Sequence, residues 1–412
     1  MPNTTYFNRT TRYIYQNKGS QMLIAILFWV LVFLVFYTYF GYGILIKFLL
    51  FFQGKSKAGE NDEKAELPRL ALIIAAYNEE AIIIEKLENT LALDYPLDKL
   101  KVIVITDGST DKTAEIVAGY PVIHLHLPQR KGKVAAVNRA VEQTGDVEIL
   151  VFSDANTILN REALKRMVIY YKDPGVGGVS GEKKVEEVTG SKVKGENLYW
   201  RYESALKKLD SDFHTVVGAA GELFSIRKQL YPEVPEQIIL DDFYISLKIC
   251  EKNFLIKYEP EAYALEKPSF SMKEERKRKV RISAGAFQAM TCFMGLMNPF
   301  KFGKLSFQYL SRRVFRWVIC PLALPLILIS NILLVMLKFE PILLYQIALY
   351  LQIFFYLLAM IGWFLRDKPM GRSKLFHVPY YFSFMNMSVW SGFFRFINGS
   401  QSAIWEKANR AS

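Results

Sequence analysis

Long apolar runs at both ends of the chain constrain its fold more than any other feature. From Met22 to Phe52 the sequence carries Lys47 as its only charge. That length exceeds what is needed to cross a hydrocarbon core of about 30 Å at about 1.5 Å per helical residue. The last third repeats the signal at Trp317 to Leu337, Pro341 to Leu365 and Val378 to Phe396. About four membrane-spanning helices are therefore expected. The first run is longer than the roughly 7–15 residues of a secretory h-region, and no small-x-small site follows it. It reads as a retained helix, not a cleaved leader.

The remaining charge is segregated. Between Glu266 and Arg316 there are twelve Lys or Arg and three Glu, immediately before the second run. A nucleic-acid partner would also want such a patch. Basic residues beside a membrane span more often mark the cytoplasmic side and meet anionic headgroups, so membrane lipids are the expected partner and nucleic acid is not. The loop from Arg366 to Lys374 is basic again, while Lys338-Phe339-Glu340 is neutral. That alternation puts the middle of the chain and the Arg366 loop on the cytoplasmic side. Cys250, Cys292 and Cys320 are odd in number and scattered, as are His124, His126, His214 and His377. Neither set has disulfide or metal-ligand spacing.

Between the runs the pattern changes to short β-branched stretches alternating with helical ones. Strands are expected at 70–75, 102–106, 122–127 and 149–153, and helices at 79–93, 111–118 and 133–143. This alternation predicts βαβ units and a mostly parallel sheet in an α/β domain. Ligands on such sheets bind beyond the carboxyl ends of the strands. Polar residues gather there: Tyr77-Asn78-Glu79, Asp107-Gly108-Ser109 and Asp154-Ala155-Asn156. The turn after the first strand, Ala76-Tyr77-Asn78-Glu79-Glu80, has no glycine. A dinucleotide fingerprint or Walker A loop is therefore excluded, and with it dehydrogenase and NTPase chemistry.

Four segments in order resemble the motifs of family 2 inverting glycosyltransferases. They are Ala75-Ala76-Tyr77-Asn78-Glu79, Thr106-Asp107-Gly108-Ser109-Thr110-Asp111, Arg130-Lys131-Gly132-Lys133-Val134-Ala135-Ala136-Val137-Asn138 and Ser153-Asp154-Ala155-Asn156-Thr157. The resemblance covers roughly residues 68–290, and the membrane layout is similar to the branch holding hyaluronan, cellulose and poly-N-acetylglucosamine synthases. It implies a single GT-A type domain binding a nucleotide sugar through Ala76, Tyr77, Asn78, Glu79, Asp107, Lys133 and Asp154. Asp107 would meet the uracil edge and Asp154 the ribose. Asp154 and the residue at 156 would hold Mg²⁺ or Mn²⁺, and here that residue is Asn156 where a second Asp is usual. An amide oxygen is still a hard ligand but carries no charge.

The resemblance continues downstream. Val217-Gly218-Ala219-Ala220-Gly221-Glu222 is similar to a small-residue loop beneath the acceptor, implicating Gly218, Ala219, Ala220 and Gly221. Ile239-Leu240-Asp241-Asp242-Phe243 resembles a Glu-Asp motif with Asp241 in the Glu position, implying Asp242 as the base with Asp241 as its neighbour. Acids at a helix N-terminus also serve as dipole partners, and both roles can hold together. Arg278-Lys279-Val280-Arg281-Ile282 stands where processive relatives carry Gln-x-x-Arg-Trp. Arg281, with Arg278, would clamp the diphosphate. Ile282 replaces the tryptophan that would stack under an acceptor sugar.

The expected division is a polar segment 1–21 without clear structure, a transmembrane helix 22–52 and a linker 53–67. The transferase domain follows at 68–284, then interfacial amphipathic helices at 285–315, transmembrane helices at 316–400 and a polar tail at 401–412. The implied protein is a multi-pass enzyme of the bacterial inner membrane with a cytoplasmic catalytic domain. It would move sugar from a nucleotide-sugar donor, UDP-linked, to a glycan or lipid acceptor. The layout favours a processive synthase and Ile282 favours single addition to a lipid. A scaffold that has lost catalysis is one further alternative, and a transporter another, against which stand membrane helices with almost no ionisable residues.

Overall fold

The computed structural model describes residues 4–53, 66–186, 194–267, 272–366 and 368–402. Most of the expected linker and of the polar tail lies outside them. The chain divides into two compact units, 46–309 with 388–412, and 1–45 with 310–387.

The first unit is built on one eight-stranded sheet. Its strands are β1 (Leu70–Ala76), β2 (Leu100–Asp107), β3 (Ile123–Leu127), β4 (Ile149–Asp154), β5 (Thr157–Leu159), β6 (Val176–Val185), β7 (Leu223–Arg227) and β8 (Leu255–Glu266). Their spatial order is β3-β2-β1-β4-β7-β6-β8-β5. The four strands expected from the sequence form the parallel half, β3-β2-β1-β4. β7 joins β4 and β6 antiparallel, β6 and β8 are parallel, and β5 closes antiparallel on β8. The sheet is thus mostly parallel. β1 is apolar throughout because helices cover both faces: Leu70, Leu72, Ile74 and Ala76 enter one core with Ile83, Leu87 and Leu164. A strand buried on both faces has no reason to alternate.

Two expected helices begin late. Residues 79–82 form a turn before Ile83–Leu91, because Asn78 adopts a left-handed φ of 54° and the Glu79 carbonyl accepts from Ile82 and Ile83. Thr113–Ala118 starts after Asp111 folds its carboxylate onto the Thr113 amide at 3.0 Å, an Asx-turn.

Among the described residues, three helices are long and apolar enough to cross a membrane: Gly19–Gln53, Lys304–Met336 and Ile342–Leu365. Ala25, Phe28 and Leu31 pack with Ala323, Ile327, Leu334 and Tyr345, and the Trp29 indole donates to the Tyr345 hydroxyl at 3.3 Å. The fourth expected span lies in the helix Lys374–Ile397, long enough but more polar.

Several expected boundaries move. The first helix starts at Thr4, inside the segment expected to lack structure. Extension of an existing helix costs little once the apolar turns have nucleated it. The boundary at 284/285 falls within the unbroken helix Met272–Cys292, whose Ala284, Gly285, Ala286 and Phe287 are buried. The boundary at 315/316 falls within Lys304–Met336. Residues 388–400 belong with the sheet-bearing unit, where Phe393 meets Phe287 edge to face at 5.1 Å.

Candidate active site

Register brings the site together. Ala76 pairs with Thr106 and Ala75 with Asp154, so Tyr77-Asn78, Asp107 and Asp154 leave the sheet at one edge. Asn78 is locked there: its backbone N–H donates to Ser109 Oγ at 3.1 Å and its Oδ1 accepts from the Thr110 amide at 2.7 Å. The Glu79 amide donates to Thr113 Oγ1 at 2.8 Å. The Arg130 guanidinium stacks 3.6 Å above the Tyr77 ring.

Asp107 is buried, and its carboxylate is partly committed. Oδ2 accepts from the Lys131 and Gly132 amides at 3.0 and 2.6 Å, and Oδ1 lies 3.4 Å from Arg139 Nη2. It thereby fixes the turn that starts the helix Lys133–Glu142. A carboxylate has about four lone-pair directions, so acceptor capacity remains for a ligand.

That helix presents Lys133 at the centre of the acids. Its Nζ lies 2.8 Å from Asp154 Oδ1 and 3.6 Å from Asp241 Oδ2. Burial disfavours its charge, but Asp154, Asp241 and Asp242 outweigh that and hold the ammonium protonated. Burial pushes the Asp154 carboxyl above its ordinary value, opposed by Lys133. Asp241 and Asp242 open the helix Asp241–Glu251. Burial, then repulsion from Asp241, raises Asp242 to about 7 against the pull of Lys133. Two adjacent acids thus differ: Asp241 is paired with a lysine, and Asp242 is tuned to exchange a proton near neutral pH.

The small-residue loop faces Asp242. A Cβ on Gly221 would stand 3.0 Å from Asp242 Oδ2. The Ala219 amide donates to Ser246 Oγ and the Ala220 amide to Ser180 Oγ, both at 3.1 Å, and Gly218 takes a φ of 96°. The loop is therefore tied to the helix that bears Asp242. On the helix Met272–Cys292, Arg281 is half-buried, and its desolvation lowers its pKa while Asp241, Asp154 and Asp242 oppose the shift. Its Nη2 donates to the Ile239 carbonyl at 3.4 Å. Arg278 pairs with Glu275 at 3.2 Å.

Four participants have no counterpart among the sequence expectations. Lys86 is fully buried under the site, donating to Ser153 Oγ at 2.7 Å and the Thr157 carbonyl at 2.8 Å. Burial brings its pKa down to about 7, partly countered by Asp154. Lys183 bonds Glu222 at 2.6 Å and also Glu266. Burial opposes the Glu222 charge, but Lys183 and Arg278 hold its carboxyl well below the usual range. Asn156 donates through Nδ2 to Glu266 Oε1 at 3.4 Å. No three His, Cys, Asp or Glu side chains among the described residues are arranged to hold a metal by themselves. Asp154 and the Asn156 amide oxygen are hard donors that fit a divalent cation whose remaining ligands come from a diphosphate, as Mg²⁺ sites commonly do.

This fold and acid cluster define a GT-A type glycosyltransferase domain. Residues 71–243 match the family model "Glycosyl transferase family 2". Curated relatives include poly-beta-1,6-N-acetyl-D-glucosamine synthase of Staphylococcus aureus (strain COL), 29% identical over 207 residues, 47% of this chain and 49% of the relative. The Staphylococcus epidermidis synthase is 26% identical over 209 residues, 48% and 50% of the two chains. The chain thus matches about half the length of these curated relatives. Among solved structures, a mannosyltransferase from Pyrobaculum calidifontis, in complex with GDP-Man and Mn²⁺, is similar in fold. Its TM-score is 0.66 at 21% identity, covering 91% of this chain and 99% of that one.

Proposed function

We propose that this chain is a membrane-embedded inverting glycosyltransferase that moves a sugar from a nucleotide-sugar donor to an acceptor hydroxyl. The observation that carries this is Asp242, a carboxylate poised near neutral pH and set against the small-residue loop at Gly221. In the reading we favour, Asp242 takes the acceptor's hydroxyl proton as that oxygen forms its bond to the anomeric carbon. The bond to the diphosphate breaks on the opposite face, inverting the configuration. Lys133 and Arg281 would meet the leaving diphosphate, which arginine suits by bidentate pairing. Asn78, Glu79 and Asp107 would hold the nucleoside, with Ala76 and Tyr77 as its floor. Gly218, Ala219, Ala220 and Gly221 would let the acceptor approach the backbone, and Arg278 would support the diphosphate side. A divalent cation, Mg²⁺ or Mn²⁺, held by Asp154 and Asn156 would offset the charge of the diphosphate.

The staphylococcal relatives support a glycan acceptor and a place in cell-envelope polysaccharide synthesis. Ile282, half-buried directly after Arg281, supports a second reading of single addition to a lipid, since it offers no flat ring to a sugar. The basic flanks support a cytoplasmic site, and with it a place in the inner membrane. The test uses membranes holding the full chain and labelled UDP- and GDP-sugars, with products sized and extracted into organic solvent. Transfer is expected with one donor class, falling at least about a thousandfold in Asp242→Asn. Normal transfer by that variant would overturn the assignment of the base. No transfer or hydrolysis of any donor would favour an inactive scaffold.

A further inference from the structure

Asn156 sits where the family pattern leads one to expect a second carboxylate, and the structure contains a reason. β5 begins one residue later, and its Thr157 pairs with Glu266 at the end of β8. That register brings the Glu266 carboxylate back to Asn156, whose Nδ2 donates to Oε1 at 3.4 Å. The other oxygen of Glu266 bonds the Lys183 ammonium, which also holds Glu222 Oε1 at 2.6 Å. Lys183 and Glu266 side chains are 1% and 3% exposed, so their ion pair is out of water, while Glu222 at the far end is 16% exposed.

We propose that Glu266, braced by Lys183, is a positioning residue for Asn156 and dictates an amide at that position. An amide can lie beside a buried carboxylate because its N–H₂ donates to it. The planar amide then directs Oδ1 away from Glu266, as a neutral oxygen for the donor's cation. A carboxylate at 156 would face Glu266 with one lysine already shared between two acids, and it has no N–H to offer that carboxylate. Glu266 touches neither donor nor acceptor; it acts through Asn156.

The proposal rests on the donor-and-cation reading above, and the experiment separates the two. Mn²⁺ binding to the full chain in detergent is measured by the loss of free Mn²⁺ signal in electron paramagnetic resonance, with UDP or GDP present. The proteins are wild type, Asn156→Asp, Glu266→Gln and the double variant. Outer-shell groups typically tune metal affinity by about 10–100-fold. Glu266→Gln is expected to weaken Mn²⁺ binding several-fold, to about tenfold. Asn156→Asp is expected to bind no tighter than wild type despite its added charge. The double variant is expected to bind at least about tenfold tighter than Asn156→Asp alone. Tighter binding by Asn156→Asp alone, or additive effects of the two changes, would overturn the role of Glu266. Should Glu266→Gln fail to fold, the comparison of Asn156→Asp with wild type decides alone. Wild type that binds no Mn²⁺ with either nucleotide would overturn the cation reading itself, and this proposal with it.

Discussion

Asp241 and Asp242 are the same side chain in adjacent positions, separated by what each faces. Asp241 is turned to Lys133, while Asp242 is raised to about 7 by burial and by Asp241. A base works only when deprotonated, so kcat/KM should rise with pH through about 7 in a pH–rate profile. Asp241→Asn removes the repulsion and should move that limb to lower pH; an unmoved limb would show that another group sets it. The stability sign is the reverse. A folded-state carboxyl above its unfolded value of about 3.9 favours folding fully below that value, and the contribution is lost as pH climbs to about 7. Asp242→Asn should therefore melt above wild type at pH 8 while losing activity. Gly221→Ala tests the same base from the other side, because its Cβ would press on Asp242 Oδ2 from 3.0 Å. Misplacement by a fraction of an ångström should cut kcat about 10–100-fold and leave nucleotide binding intact. The positions of Asp107 and Asp154 could be read from the sequence because each ends a strand after an apolar run, and Asp242 stood out through the motif its segment resembles. Lys183 and Glu266 were not legible, since Glu182-Lys183-Lys184 reads as a solvated charge run and burial of lysine is uncommon.

The same contrast holds for the elements. β1 to β4 announce themselves as apolar runs separated by amphipathic helices. β6 does not: Val176-Gly177-Gly178-Val179-Ser180-Gly181 looks like a turn, since glycine is depleted in strands. The structure explains the glycines by close approach. A Cβ at Gly181 would lie 2.7 Å from the Ala262 carbonyl oxygen of β8, and one at Gly178 2.9 Å from the Ser225 carbonyl of β7. Backbone cannot swing aside as a side-chain tip can. Gly181→Ala should therefore part β6 from β8 and destabilise the domain by about 1–3 kcal/mol, read as a lower melting temperature. An unchanged melt would mean that the sheet relaxes there at no cost. Because Ser180 holds the Ala220 amide, the same change should also reduce transfer.

At the scale of the whole chain, the apolar helices and the charge between them make a topology that can be tested without knowing the substrate. Lys304–Met336 and Ile342–Leu365 are each long enough to cross, and the loop joining them, Lys338-Phe339-Glu340, is neutral. The segments outside the pair are basic: twelve Lys or Arg against three Glu from 266 to 316, and four against one Asp from 366 to 374. Short loops rich in Lys and Arg stay cytoplasmic, and acids contribute little to that choice. The reaction proposed above needs the acid cluster on the same side as its donor, and Asp242 precedes the second span without an intervening one. A cysteine placed at Phe339 should thus react with a membrane-impermeant maleimide on intact cells. One placed at Lys368 should react only after permeabilisation. Cys292, exposed in the sheet-bearing unit, should behave like Lys368→Cys, with Cys250 buried as an internal control. Labelling of Cys292 from outside would place the acid cluster away from a cytoplasmic donor and would overturn the reaction proposed for it.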